Sequence, residues 1–285
     1  MIKTIKYFFE SLAIYLFFFI IKLLGLSVSR ILFSFIFKKI GPLIRSKDTL
    51  KKNLNIFSNK ISEQKKKEIE LNMWSNYGKT FVEYMFLKKF RKDNLHIKIE
   101  GKEILDEINR SNKPVIFISG HFANFELMSM EITKSKINLA TIYRPLNNFF
   151  LNPLMEYLRK KYVCNKQIKK GRSGIKECIE YIEKGYSVAL MIDQRLGEGD
   201  RVKFFSKSAH TTSLPAQLSL KYHLNVIPIF IEREHKDSFK MKIYEPIDTS
   251  NFKNKSEITL KLNEVLENMI MKNPNQWIWT HDRWK

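Results

Sequence analysis

A histidine and a glutamate five positions apart, His121 and Glu126, lie in the string PVIFISGHFANFELMSM over residues 114–130. A carboxylate bonded to one nitrogen of an imidazole fixes the ring tautomer and stabilises the imidazolium. The other nitrogen can then take a proton from a hydroxyl, a contribution of ~10²–10⁴-fold in rate. His121 and Glu126 are therefore the candidate catalytic pair. Asn124, together with the free N–H groups of a helix start, is a further polar group expected within reach of a reacting oxygen.

The pair needs a particular support. Residues 115–118 form an apolar run that stops at Ser119-Gly120, which predicts a buried strand entering a tight turn. A helix is predicted to begin at His121, with Phe122, Phe125 and Leu127 on its apolar face. Glu126 then lies about one helical turn inside, with its carboxylate brought back towards the ring. The crevice beyond the carboxyl end of a strand is where open α/β sheets carry their chemistry.

From residue 95 onward, strand-like and helix-like stretches alternate. Strands are expected at 95–100, 114–119, 138–143, 187–192, 225–232 and 239–244, and helices at 102–109, 149–161, 173–184, 213–222 and 256–271. Such alternation implies an α/β fold, a mostly parallel sheet flanked by helices. Two further strands end in polar groups, one at Arg144 and one at Asp193-Gln194, and in a parallel sheet those ends share an edge with His121. Arg144 has the planar fork that suits a phosphate or a developing oxyanion. Asp193, with Gln194 beside it, is expected to orient Arg144 or the acceptor. Lys169-Lys170-Gly171-Arg172 leads into a helix and could cradle a phosphate through Lys170 and Arg172.

Residues 5–28 contain one long apolar stretch interrupted by Lys22, close to the ~20 residues that cross a bilayer. A second apolar helix over residues 31–44 is expected to hug the membrane, with Arg30, Lys38 and Lys39 at its margins. The expected division is a membrane anchor over residues 1–45 and a catalytic domain over 46–285. Charged residues with apolar ones at helical intervals fill residues 48–92. The chain of 285 residues carries 50 Lys and Arg against 29 Asp and Glu, a formal charge of +21, which favours an anionic partner. Positive charge after the anchor places the catalytic domain on the cytoplasmic side. Cys164 and Cys178 have neither disulfide nor metal spacing, and no ligand-spaced cluster calls for a metal.

GHFANFE resembles the H-x4-D/E motif of glycerolipid-type acyltransferases, in the GHFGNWE form of the lipid A late acyltransferases (the lauroyl and myristoyl transferase family). Four more segments are similar to that family: YRPLNN from residue 143, MIDQ ending at Gln194, FFSKSAHTT over 204–212, and the ending NPNQWIWTHDRWK. In the third, Ala209 and Thr211 are in register, while Ser206 stands where the family has glycine. The resemblance implies a glycerolipid-acyltransferase-like fold and transfer of a fatty acyl group from acyl carrier protein to a hydroxyl of a phosphorylated glycolipid, a lipid A precursor of the Kdo-lipid IVA type. It implies the inner membrane of a Gram-negative bacterium, membrane lipids as neighbours, substrate contacts by Arg144, Asp193 and Thr211, and no cofactor beyond the acyl-carrier thioester. Another glycolipid or an ornithine-type lipid as acceptor fits the same motif. A membrane-tethered nucleic-acid-binding protein is the contrasting class, but the chain has no recognised nucleic-acid motif. His210 lacks a nearby carboxylate, and His281 is expected to be a packed, hydrogen-bonded residue of the aromatic tail.

Overall fold

The computed structural model describes residues 2–44, 47–58, 60–197 and 199–285. Its N-terminal third is helical: α1 (Ile2–Ile44), α2 (Lys47–Phe57), α3 (Glu63–Glu83) and the short α4 (Leu87–Lys92). The remainder alternates, through β1 (Ile97–Glu100), α5 (Lys102–Ser111), β2 (Ile116–Ser119), α6 (Glu126–Lys134), β3 (Leu139–Tyr143), α7 (Asn152–Tyr162), β4 (Lys166–Lys169), α8 (Arg172–Glu183) and β5 (Ser187–Met191). A hairpin of β6 (Asp200–Phe204) and β7 (Lys207–Thr211) follows, then α9 (Leu214–Tyr222), β8 (Val226–Arg233), β9 (Phe239–Ile243) and α10 (Lys255–Lys272).

The main sheet runs β1-β9-β8-β2-β5-β3-β4. All its pairings are parallel except β8 with β9. The central strands β2 and β5 are almost continuously buried, as strands covered by helices on both faces must be. The α/β expectation is met, with two additions. β4 comes from the polar KQIK, which has no apolar alternation because it is an edge strand. The segment between the strand expected at 187–192 and the helix expected at 213–222 contains the β6–β7 hairpin, whose register pairs Phe204 with Lys207 across the turn residues Phe205 and Ser206. Both have positive φ, +49° and +61°, the geometry of the turns that match strand twist. The serine thus occupies a left-handed position where glycine is favoured.

The α1 helix is broken at Gly25 (φ +74°), which gives two arms rather than one rod. The second arm lies against α3 with backbones nearly touching. A Cβ on Gly78 would come within 2.2 Å of the Phe33 carbonyl oxygen. Phe18, Phe33 and Phe37 gather around Phe81 with ring centroids 5.0–5.7 Å apart. The opposite faces remain bare, with Phe9, Phe19, Leu23 and Ile31 each more than 60% exposed. By length and composition α1 can cross a membrane. The arm expected to hug a membrane is thus docked on α3 along one side. The boundary expected between residues 45 and 46 lies outside the described residues.

Candidate active site

β2 delivers the chain to Gly120, where it turns sharply: the Phe122 N–H donates to the Gly120 carbonyl at 2.8 Å. Glycine is required at this point, because a Cβ there would sit 2.8 Å from the Phe122 ring and 3.3 Å from the Asp193 Cβ. Asp193 arrives from the end of β5, the neighbouring strand, and the Ile192 N–H bonded to the Ser119 carbonyl (2.9 Å) locks the two strand ends together. The close approach lets Asp193 take both donors of His121. Its Oδ1 lies 2.8 Å from the ring Nδ1, and its Oδ2 accepts the His121 backbone N–H at 2.8 Å. The indole N–H of Trp277, in the aromatic tail, donates to Oδ2 at 2.9 Å.

Asp193 is fully buried. Burial raises its pKa, but the adjacent imidazole, the His121 N–H and the Trp277 indole outweigh that and hold the carboxyl below its ordinary range. An ionised Asp193 accepts the proton of Nδ1, which leaves Nε2 of His121 as the free basic nitrogen. The His121 side chain is 21% exposed, with Phe125 edge-on to the ring at 4.6 Å.

Glu126 is not the carboxylate on the ring. The helix starts at Glu126 rather than at His121, and the intervening residues form a non-helical connection with Ala123 at φ +42°. That connection is pinned from outside: Ala123 donates to the Gln276 carbonyl at 3.2 Å and accepts from the Thr80 hydroxyl at 3.1 Å. Without helical rotation between them, the two side chains part. Glu126 Oε1 accepts from the Tyr84 hydroxyl (2.6 Å) and the Arg159 Nε (2.7 Å), and Arg159 also reaches the Tyr84 oxygen at 3.1 Å. Burial works against the Arg159 charge, but Glu126 and Tyr84 more than compensate and push its pKa up.

Asn124 is likewise turned inward, 1% exposed. Its amide donates to Glu83 Oε2 at 2.9 Å instead of facing a reacting oxygen. Glu83, itself at 0% exposure, is gripped by Arg30 from α1 (2.7 Å) and by both terminal nitrogens of Arg233 at the end of β8. Thr211, expected at the substrate, is buried in the tail joint, where its hydroxyl accepts from Arg283 (2.7 Å) and Asn263 (3.2 Å). Asp193, expected to orient Arg144 or the acceptor, orients His121.

Arg144 is exposed beyond the end of β3, and the Lys170 backbone N–H bonded to the Tyr143 carbonyl (2.8 Å) brings the end of β4 alongside. Burial first, and then the Arg144 charge, lower the Lys170 ammonium pKa. Arg172, also exposed, opens α8 after Gly171. With β5 between β2 and β3, Arg144 stands about 10 Å from His121 along the sheet edge, by strand spacing. Gln194 is half-buried next to Asp193. His281 accepts the Arg195 backbone N–H at Nε2 (2.8 Å), and burial, Arg283 and His121 lower its pKa against the pull of Asp193. His210 has the Gly199 carbonyl as its Nδ1 partner, at 3.1 Å.

The profile described as bacterial lipid A biosynthesis acyltransferase matches residues 2–285. The chain belongs to that family. The chain is 26% identical over 254 residues to the lipid A biosynthesis palmitoleoyltransferase of Escherichia coli K12, covering 86% of this chain and 80% of the relative. To the lauroyltransferase of the same organism it is 23% identical over 242 residues, covering 82% and 77%. To lipid A biosynthesis acyltransferase 2 of Shigella flexneri it is 24% identical over 197 residues, covering 67% of this chain and 61% of the relative. The chain thus spans about three fifths of the length of this last relative. A solved 1-acyl-sn-glycerophosphate acyltransferase from Thermotoga maritima aligns over 87% of this chain and 98% of its own, with 16% identity and a TM-score of 0.42.

The strand ends carrying His121, Arg144 and Asp193 share one edge of the sheet, as expected from the sequence, but nothing in the sequence marks Arg159, Tyr84, Trp277 or Glu83 as their neighbours. Arg159 is one of three consecutive bases closing α7, and nothing in that run marks the one that turns inward. Trp277 was visible as part of the tail motif, but its hydrogen bond to Asp193 joins residues 84 positions apart.

Proposed function

We propose that the acyltransferase moves a fatty acyl group from acyl carrier protein to a hydroxyl of a phosphorylated lipid A precursor, with His121 as general base. The observation that carries the reading is the ring Nδ1 held on the buried Asp193 carboxylate at 2.8 Å, at the carboxyl edge of a parallel sheet. Nε2 takes the proton of the acceptor hydroxyl as its oxygen attacks the thioester carbonyl. The tetrahedral intermediate collapses to the ester, and the departing thiolate recovers the proton from the imidazolium.

A covalent acyl-enzyme has no support from the cysteines. Cys164 and Cys178 are buried, and burial pushes both thiols up to about 11, far from the thiolate a nucleophile needs. Arg144, Lys170 and Arg172 form the anion-binding edge for the phosphorylated acceptor or the acidic carrier protein, in keeping with the +21 charge. Glu126 acts through Arg159 rather than through the ring. The apolar outer faces of α1 anchor the enzyme in the inner membrane, with the sheet on the cytoplasmic side. Incubating the purified full chain with acyl-carrier thioesters and the tetraacyl disaccharide precursor, and reading the product by mass spectrometry, tests the proposal. Transfer that disappears in His121→Ala supports it. Transfer retained in that variant, or hydrolysis without transfer to any glycolipid, overturns it.

A further inference from the structure

Several lysines of this protein end on a carboxylate, as Lys79 does on Asp237, Lys134 on Glu131 and Lys240 on Glu100. One group does not. A cavity of about 290 Å³ between α1 and α4 is lined by Lys22, Lys88, Lys89 and Lys92 with Met85 and Phe86. Its lining includes no acid, and among the described residues no carboxylate lies within ion-pair distance of these four lysines.

Lys22 is the sole charged residue between residues 11 and 29. It does not point away along the apolar helix. Its ammonium donates to the Met85 carbonyl and lies 4.7 Å over the Phe86 ring, so the side chain is bent into the cavity. Phe19, one helical turn earlier on the same face, is 62% exposed, and Leu23 beside it is 70% exposed. The cavity therefore combines four cations and two apolar side chains at the margin of a bare apolar surface. Water alone requires no such arrangement, and a soluble anion would have no use for the apolar margin.

We infer that this cavity is a binding site for the phosphate headgroup of an anionic bilayer phospholipid, separate from the acceptor site at His121. The phosphate sits among the ammonium groups, Met85 and Phe86 contact the glycerol region, and the acyl chains run down the Phe19 and Leu23 face. The inference rests on the membrane reading of α1 and not on the acyl-transfer chemistry, and its test reads lipid without turnover.

The full chain, purified in detergent with equal phosphatidylglycerol and phosphatidylcholine, is examined by native mass spectrometry for the ratio of the two lipids retained. The wild type retains phosphatidylglycerol preferentially. Lys88→Gln, Lys89→Gln and Lys92→Gln together lower that preference about a hundredfold, since each basic residue near an anionic surface is worth about a fivefold factor. The corresponding triple change to arginine keeps it, which separates charge from packing if the glutamine variant folds poorly. Three results overturn the inference: the same ratio in wild type and the glutamine variant, displacement of the lipid by millimolar inorganic phosphate, or a raised KM for the phosphorylated acceptor with lipid retention unchanged.

Discussion

The carboxylate on the His121 ring belongs to Asp193, 72 residues further along the chain, and not to Glu126 within its own motif. Asp193→Asn keeps the shape but turns an amide N–H towards Nδ1. The ring proton must then sit on Nε2, and the base is lost. The expected outcome is a kcat lower by about 10²–10⁴-fold with unchanged circular dichroism. An activity within a factor of about three of wild type would show that Asp193 does not hold the catalytic tautomer.

Glu126 and Arg159 make a different expectation. Glu126→Gln leaves the Arg159 guanidinium buried without its counter-charge, and breaking such a pair costs about 3–5 kcal/mol. Chemical denaturation should show that loss. The shape of the pH profile of kcat in the folded fraction should stay as in the wild type, because the ring partner is intact. A profile whose limb shifts on this substitution would assign the imidazole to Glu126 after all.

His281 gives the protein an acid-sensitive joint. Its Nε2 accepts the Arg195 N–H, and its folded pKa lies below the ordinary ~6.5 because burial opposes the charge. The unfolded chain therefore binds the proton first, so stability falls as pH drops below about 6.5 and continues to fall until the depressed folded value is passed. His281→Gln retains an acceptor that does not titrate. Thermal melts from pH 7.5 to pH 5 should be flatter for this variant than for the wild type, and parallel curves would remove His281 from the effect.

The β6–β7 turn offers a gain. Ser206 pays the cost of a left-handed backbone, about 1–2 kcal/mol for a side-chain-bearing residue, and glycine does not. Ser206→Gly should raise the unfolding free energy by up to about 1 kcal/mol after the added chain entropy of glycine is subtracted. A lower melting temperature would show that the serine side chain contributes something the backbone geometry does not reveal.

The core of the sheet was legible because residues 115–118, 187–192 and 225–232 are apolar runs ended by Gly, Asp or charged residues, and strand ends in a parallel sheet must share an edge. The edge strand at 166–169 was hidden by its polarity. The hairpin at 200–211 was hidden because its turn residues are phenylalanine and serine rather than glycine and asparagine. The His121–Glu126 pairing failed for a local reason. It assumed helical rotation from residue 121, whereas the tail and α3 pull the Ala123 backbone out of the helix. Spacing within a motif carries no information about a partner supplied by a neighbouring strand.

Glu83 closes a circuit that the linear division of the chain conceals. Arg30 of the apolar arm, Arg233 of the sheet and Asn124 of the His121 turn all terminate on this one acid. Trimming the first 45 residues to make a soluble enzyme would remove one of its two guanidinium partners and uncover Phe33's imprint on α3. Such a fragment would be a damaged protein rather than a smaller one, and tests of the proposed transfer belong on the chain with α1 retained, in detergent or bilayer.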